Sequence, residues 1–286
     1  MPLAYDLSDL VSDVIRGALF QFTPKFYEQL WGLLLVGLSW FCLAGAVLVA
    51  LVRPKKIKQW AYILSAIVAS TTTVMALPVS VYLVQAFIQS NKSYEEVFLA
   101  RSTYTDFIVS FYILYLHLDM LGAALIYWDH MDPFVGWLHH IVYILICNNA
   151  LYWNWTVGLA AMFVEEMPTA LLSLGQVFPQ MRTDVGFGVT FISTRIIYHI
   201  SSLVMCIYVL HDVTYVWLVG ILTMLLHFWW FGESEAGLAR SKMGSNGEDA
   251  APAIRSHSSS TFGVRCRVNH NSSFTFSPGL KAGIPA

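Results

Sequence analysis

"QLWGLLLVGLSWFCLAGAVLVALV" (Gln29–Val52) holds 24 residues and no charge. As an α-helix it is about 36 Å long, more than the ~30 Å of a bilayer's hydrocarbon core. It stops at "RPKKIK" (53–58), where a proline and four cations meet. Such a run reads as a membrane-spanning helix, and the same reading extends over most of the chain. Of 286 residues, 57% are hydrophobic and 12% charged, with a mean hydropathy of +0.59. Soluble domains carry about 25% charged residues. The chain therefore reads as an all-α, polytopic membrane protein, because backbone exposed to lipid must satisfy its own hydrogen bonds.

Six more apolar runs follow, at 60–88, 104–127, 133–152, 155–178, 185–210 and 213–231, which makes about seven transmembrane helices joined by short loops. The second is long and contains Pro78, so it is expected to tilt or to bend at that proline. No cleavable leader is expected, since the first apolar run is long enough to span by itself. Residues 1–28 precede it. There Leu7, Leu10, Val11, Val14, Ile15 and Ala18 recur at helical spacing opposite Asp9, Asp13 and Arg16, the pattern of an amphipathic interfacial helix. From Gly232 onward the composition turns to Gly, Ser, Asn and Pro, and 233–286 is expected to be a disordered tail. In it "IRSHSSS" is open to phosphorylation and Cys266, between two arginines, to palmitoylation, against a plain solvated tail. Cys42, Cys147 and Cys206 lie in apolar runs and read as buried thiols, with no disulfide or metal spacing.

Orientation follows the cations. With 53–58 in the cytosol, that side holds Arg53, Lys55, Lys56, Lys58, Arg182 and the tail's Arg240, Lys242, Arg255, Arg265, Arg267 and Lys281. The other side holds Arg16, Lys25, Lys92 and Arg101. The C-terminus is then cytosolic, and the sequons at Asn91 ("NKS") and Asn154 ("NWT") face a lumen.

Four charged groups lie deep in predicted spans: Asp119, Glu165, Glu166 and Arg195. Left charged and unpaired they would cost on the order of 10–14 kcal/mol. They must therefore pair, carry protons or border a wet cavity. Helical spacing brings further polar groups beside them. Tyr112 and Tyr115 share a face with Asp119. The stretch "GWLHHIVYILI" (136–146) adds His139 and His140, about 100° apart on a helix, with Tyr143 on the His139 face. Thr169 follows the glutamates, and His199 and Ser202 share the face of Arg195. One polar site enclosed by four helices is the simplest arrangement. Against it stands the reading of each His as a structural hydrogen-bonding residue, and of Arg195 as the buried partner of Glu166 or Asp119. His117, on the far side of its helix from Asp119, reads as structural or interfacial. His211 and Asp212 read as solvated, and His227 as structural without an evident partner.

Several classes are excluded. No lysine lies between Lys92 and Lys242, so a retinal Schiff base in the last spans is impossible. There is no Asp-Arg-Tyr, no Asn-Pro-x-x-Tyr, no His-x-x-His-His and no His-x-x-x-His. No metal is expected, and the net charge of −2 with no basic stripe argues against nucleic acid.

"YLHLDM" (115–120), "WDHMDPFVGWLHHIVYI" (128–144), "FVEEMPTALLSLG" (163–175) and "FISTRIIYHI" (191–200) resemble, in order and spacing, the TLC-domain family, which includes the ceramide synthases. The likeness covers about residues 55–232. It departs from the ceramide synthases where their His-Asp-x-x-Asp element is replaced by "EEMPT" (165–169), so it is closer to the other TLC-domain-containing proteins.

The resemblance implies a first helix (29–54) outside a six-helix TLC-type barrel (55–232) around a lipid-accessible cavity. It implies a lipid acyltransferase of the endoplasmic reticulum, with the Golgi as the alternative, taking acyl-CoA as co-substrate and an amine or hydroxyl lipid as acceptor. His139 and His140 would serve as base or nucleophile, and Glu166 or Asp119 would orient them. Arg195 or the second His would stabilise the oxyanion. Glu165, His199, Tyr115, Tyr143 and Thr169 would shape the substrate site. No tightly bound cofactor is expected, and the partners are membrane lipids, with an oligomer left open. The alternatives are a non-enzymatic protein that binds, senses or sorts lipids with the same cavity and, more weakly, a proton-coupled transporter.

Overall fold

The computed structural model describes residues 24–54, 57–128, 131–211 and 216–229, together with Ser12, Ile15 and Arg16. The chain forms two units, Met1–Phe228 and Trp229–Ala286; all described residues but Trp229 belong to the first. Most of the expected amphipathic segment and all of the tail, with its phosphorylation and palmitoylation candidates, lie outside the described residues.

Among the described residues there are helices and no strands. They are α1 (Pro24–Val52), α2 (Ile57–Gln89), α3 (Asn91–Phe98), α4 (Thr103–Leu125), α5 (His139–Trp153), α6 (Thr156–Met162), α7 (Met167–Val177), α8 (Asp184–Thr190) and α9 (His199–Val209). A last helix, α10, covers Val216–Trp229. Three connections keep the helical path but change its pitch. Pro133–Leu138 is a π-helical turn leading into α5, Phe163–Glu166 is a 3₁₀ turn between α6 and α7, and Phe191–Tyr198 is π-helical between α8 and α9.

Five runs are long and apolar enough to cross a membrane: Leu35–Val52, Gln59–Gln89, Thr103–Leu125, Thr156–Val177 and Asp184–Val209. Seven were expected. The fourth predicted run is helical, but its α-helical part has 15 residues, and His139, His140, Asn148 and Asn149 dilute its apolar character. The seventh is described only over Val216–Trp229, a shorter apolar helix.

The long helix α2 packs against α3, α4, α6 and α7. It continues through Pro78 as one helix of 33 residues. Ser80 ties it to its neighbours by donating to Ala161 O at 2.8 Å. Further bonds start from α4. Ser102 caps that helix in a capping box with Thr105, and Thr105 meets Thr156 at 2.9 Å. Asp106 takes Arg101 at 2.5 Å and the Thr156 hydroxyl at 3.0 Å. Asn154, left-handed at φ 60°, ends α5 and accepts from Arg101 at 3.0 Å.

By contrast α1 touches the bundle along one side only, against α2 and α4. Phe41 stacks on Phe111 with ring centroids 4.6 Å apart, and Trp40 donates to Thr71 at 3.1 Å. Most of its apolar side chains are exposed, Leu51 to 69%. That face corrects one expectation: Cys42 is exposed, whereas Cys147 and Cys206 are buried.

Candidate functional site

The deep charges fall into two buried groups. The first joins α4 to the start of α5. His140 lies one turn after Gly136, and its Nδ1 is 2.6 Å from the Gly136 carbonyl. A carbonyl only accepts, so Nδ1 donates. Nε2 then faces Asp119 Oδ2 at 3.2 Å. A hydrogen bond there needs one proton more than a neutral imidazole and a carboxylate hold between them. Tyr127, just beyond the end of α4, donates to Asp119 Oδ1 at 2.7 Å. Tyr115 packs on the His140 ring, centroids 5.8 Å apart, and its hydroxyl sits 3.2 Å from Ser65 Oγ.

The second group gathers around the 3₁₀ turn Phe163–Glu166, which sends Glu165 and Glu166 to different partners. His199 Nδ1 lies 2.8 Å from Glu165 Oε1, and its Nε2 donates to Gly220 O at 2.9 Å. The geometry repeats that of His140: a backbone carbonyl on one ring nitrogen and a carboxylate on the other. Glu166 accepts from the Tyr112 hydroxyl at 3.0 Å and has Arg195 Nη2 at 3.9 Å. Arg195 also donates to Glu165 O at 3.0 Å and to Thr169 Oγ1 at 2.7 Å. Each charged head is thus held by oppositely charged or hydrogen-bonding neighbours, which is how buried ions are tolerated.

A layer of tyrosines separates the groups. Tyr112 touches Tyr115 (5.6 Å between centroids) and Tyr143 (6.2 Å). Tyr143 packs on His139 at 4.3 Å. The two adjacent histidines therefore part company: His140 turns to Asp119, and His139 packs on Tyr143.

A small, partly enclosed cavity of about 80 Å³ borders the second group. Its polar wall is Glu165, Glu166, Arg195, His199, Thr223 and His227; its apolar wall includes Phe98, Ile146, Leu159 and Leu203. Tyr143 lines it, while His139, His140 and Asp119 are not among its lining residues.

The spacing expectations are met in part. The structure joins Asp119 to His140, Glu165 to His199, and Glu166 and Thr169 to Arg195. The hydrogen bonds fall into two groups, with Tyr112 and Tyr115 packed from Glu166 to His140 between them. His117 is exposed, with Nδ1 2.8 Å from Ile113 O. His227, expected to stand without a partner, lies 3.8 Å from Glu165 and meets the His199 ring edge-on at 5.1 Å. Nothing in the local sequence signals this, since the contact joins α10 to a turn four helical segments earlier. Tyr127 was missed for a similar reason: aromatic residues at span ends are ordinarily interfacial. Comparison with family models, with curated proteins and with solved structures returns no match to this chain.

Proposed function

We propose that this chain is a TLC-type lipid acyltransferase of the endoplasmic reticulum or Golgi, with seven spans, six of them around the cavity and the C-terminus cytosolic. It moves a long-chain acyl group from acyl-CoA to an amine or hydroxyl lipid. The observation that carries this reading is the buried Asp119–His140–Gly136 unit beside His139. That unit fixes His140 between a carbonyl and a carboxylate and sets His139 beside it as the imidazole to take the acceptor's proton. The peripheral α1 agrees with a first helix outside the barrel. Incubation of the purified chain with labelled acyl-CoA and a panel of sphingoid bases, lysolipids and ethanolamine lipids, read by mass spectrometry, tests it. Acyl transfer is expected, and is expected to vanish in the His139→Ala, His140→Ala variant. Transfer that persists there overturns the assignment.

A second reading is favoured by one observation: the cavity is walled by Glu165, Glu166 and Arg195 and not by the adjacent histidines. In this reading the cavity grips a lipid headgroup without turnover. A co-purifying lipid whose mass never changes when acyl-CoA is added supports it.

A further inference from the structure

We infer that Glu165, His199 and His227 form a binding site for one zinc-type divalent cation in the cavity wall. The inference stands apart from acyl transfer and holds whether or not that reaction occurs. A carboxylate and two imidazoles are a ligand set that zinc takes when one position stays open to a further ligand. The three side chains come from the 3₁₀ turn, α9 and α10, and their ligand atoms lie within 4.8 Å of one another. Glu165 Oε1 is 2.8 Å from His199 Nδ1, and Glu165 Oε2 is 3.8 Å from His227 Nε2. Ligands at the usual zinc distances in a tetrahedron sit roughly 3.3 Å apart. The two contacts use different oxygens of the Glu165 carboxylate, so the three ligand atoms, which lie within 4.8 Å of one another, draw in around the ion by rotation of the carboxylate and the His227 ring.

The surroundings are those of a ligand set. His199 Nε2 donates to Gly220 O, which fixes the ring and directs Nδ1 toward the other two ligands. Metal-binding histidines are held by this kind of outer bond. All three residues are buried, and all three border the cavity, which supplies the open fourth position. Charge agrees as well. With the ion bound, Glu165 and Glu166 face Arg195 and two added positive charges. One positive unit remains for an anionic oxygen ligand arriving through the cavity.

The test uses the full chain in detergent, stripped with chelator and then given cobalt or zinc. Cobalt is expected to produce the intense visible bands of a four-coordinate site. Zinc is expected to remain at one equivalent after gel filtration and to raise the melting temperature. In Glu165→Gln and His227→Gln, retained zinc is expected to fall below about a tenth of an equivalent, and the rise in melting temperature to vanish. The His139→Ala, His140→Ala variant keeps its metal. No cobalt bands at saturation in the wild-type chain, or zinc lost on changing His139 and His140 instead, overturns the site. Because the readout is metal content, a failed acyl-transfer assay leaves it untouched.

Discussion

His140 and Asp119 are joined across 3.2 Å by a ring whose other nitrogen is already committed to Gly136 O. The imidazole cannot turn to another partner without breaking a bond in a buried place. Asp119→Ala therefore strands His140, and His140→Ala strands Asp119. Each is expected to cost about 3–5 kcal/mol. The double variant costs less than the sum. Thermal unfolding of the four proteins in one detergent checks this, and strictly additive losses would show that the two side chains do not interact.

Tyr127→Phe removes one donor from Asp119 and leaves the ring's packing in place. A hydrogen bond to a charged group contributes roughly 1.5–3 kcal/mol. A drop in melting temperature smaller than that of Asp119→Ala is expected. It is absent when Tyr127→Phe is introduced into an Asp119→Ala background.

Arg195→Lys is not conservative here. The guanidinium spends Nε on Glu165 O and Nη2 on Thr169, with Glu166 alongside. A single ammonium cannot reproduce that fork. The lysine variant is expected to be nearly as destabilised as Arg195→Ala, by about 3 kcal/mol or more. Thr169→Val should lose only ~1 kcal/mol. Recovery by lysine to within 1 kcal/mol of wild type on the same thermal scale would refute the fork as the reason.

The two sequons differ in access. Asn91 is exposed at the start of α3. Asn154 accepts from Arg101, and Thr156 of its sequon is fully buried against Thr105 and Asp106. With this face in a lumen, expression in microsomes should give one glycosidase-sensitive shift, abolished by Asn91→Gln and unaffected by Asn154→Gln. A shift that depends on Asn154 contradicts the packing described for this end of the bundle.

The chemistry of the site was legible where it was expensive. Asp119, Glu165, Glu166 and Arg195 stand out because apolar runs have no other reason to carry charge, and each is buried and paired. Helical spacing also placed His199 beside the Arg195 face. What spacing could not reveal was the division into two groups. That depends on the 3₁₀ turn at Phe163–Glu166 and the π-helical stretches before His139 and around Arg195, where the 3.6-residue period fails. Among the described residues five helices rather than seven qualify as spans because of length: the α-helical part of the His-His run has 15 residues, and the last helix is described only over Val216–Trp229.

The widened turn at Phe191–Tyr198 has a consequence for how this chain tolerates change. It acts as a phase shift within one rod: residues ahead of it and behind it do not follow a common stripe. A π turn takes in one residue more than an α turn, so excising one between Ile192 and Thr194 lets the rod rewind with the segments on either side close to their old directions, whereas the same excision in ordinary helix would rotate everything beyond it by about 100°. The stretch ahead of the guanidinium can therefore absorb a change of length that the rest of the rod cannot.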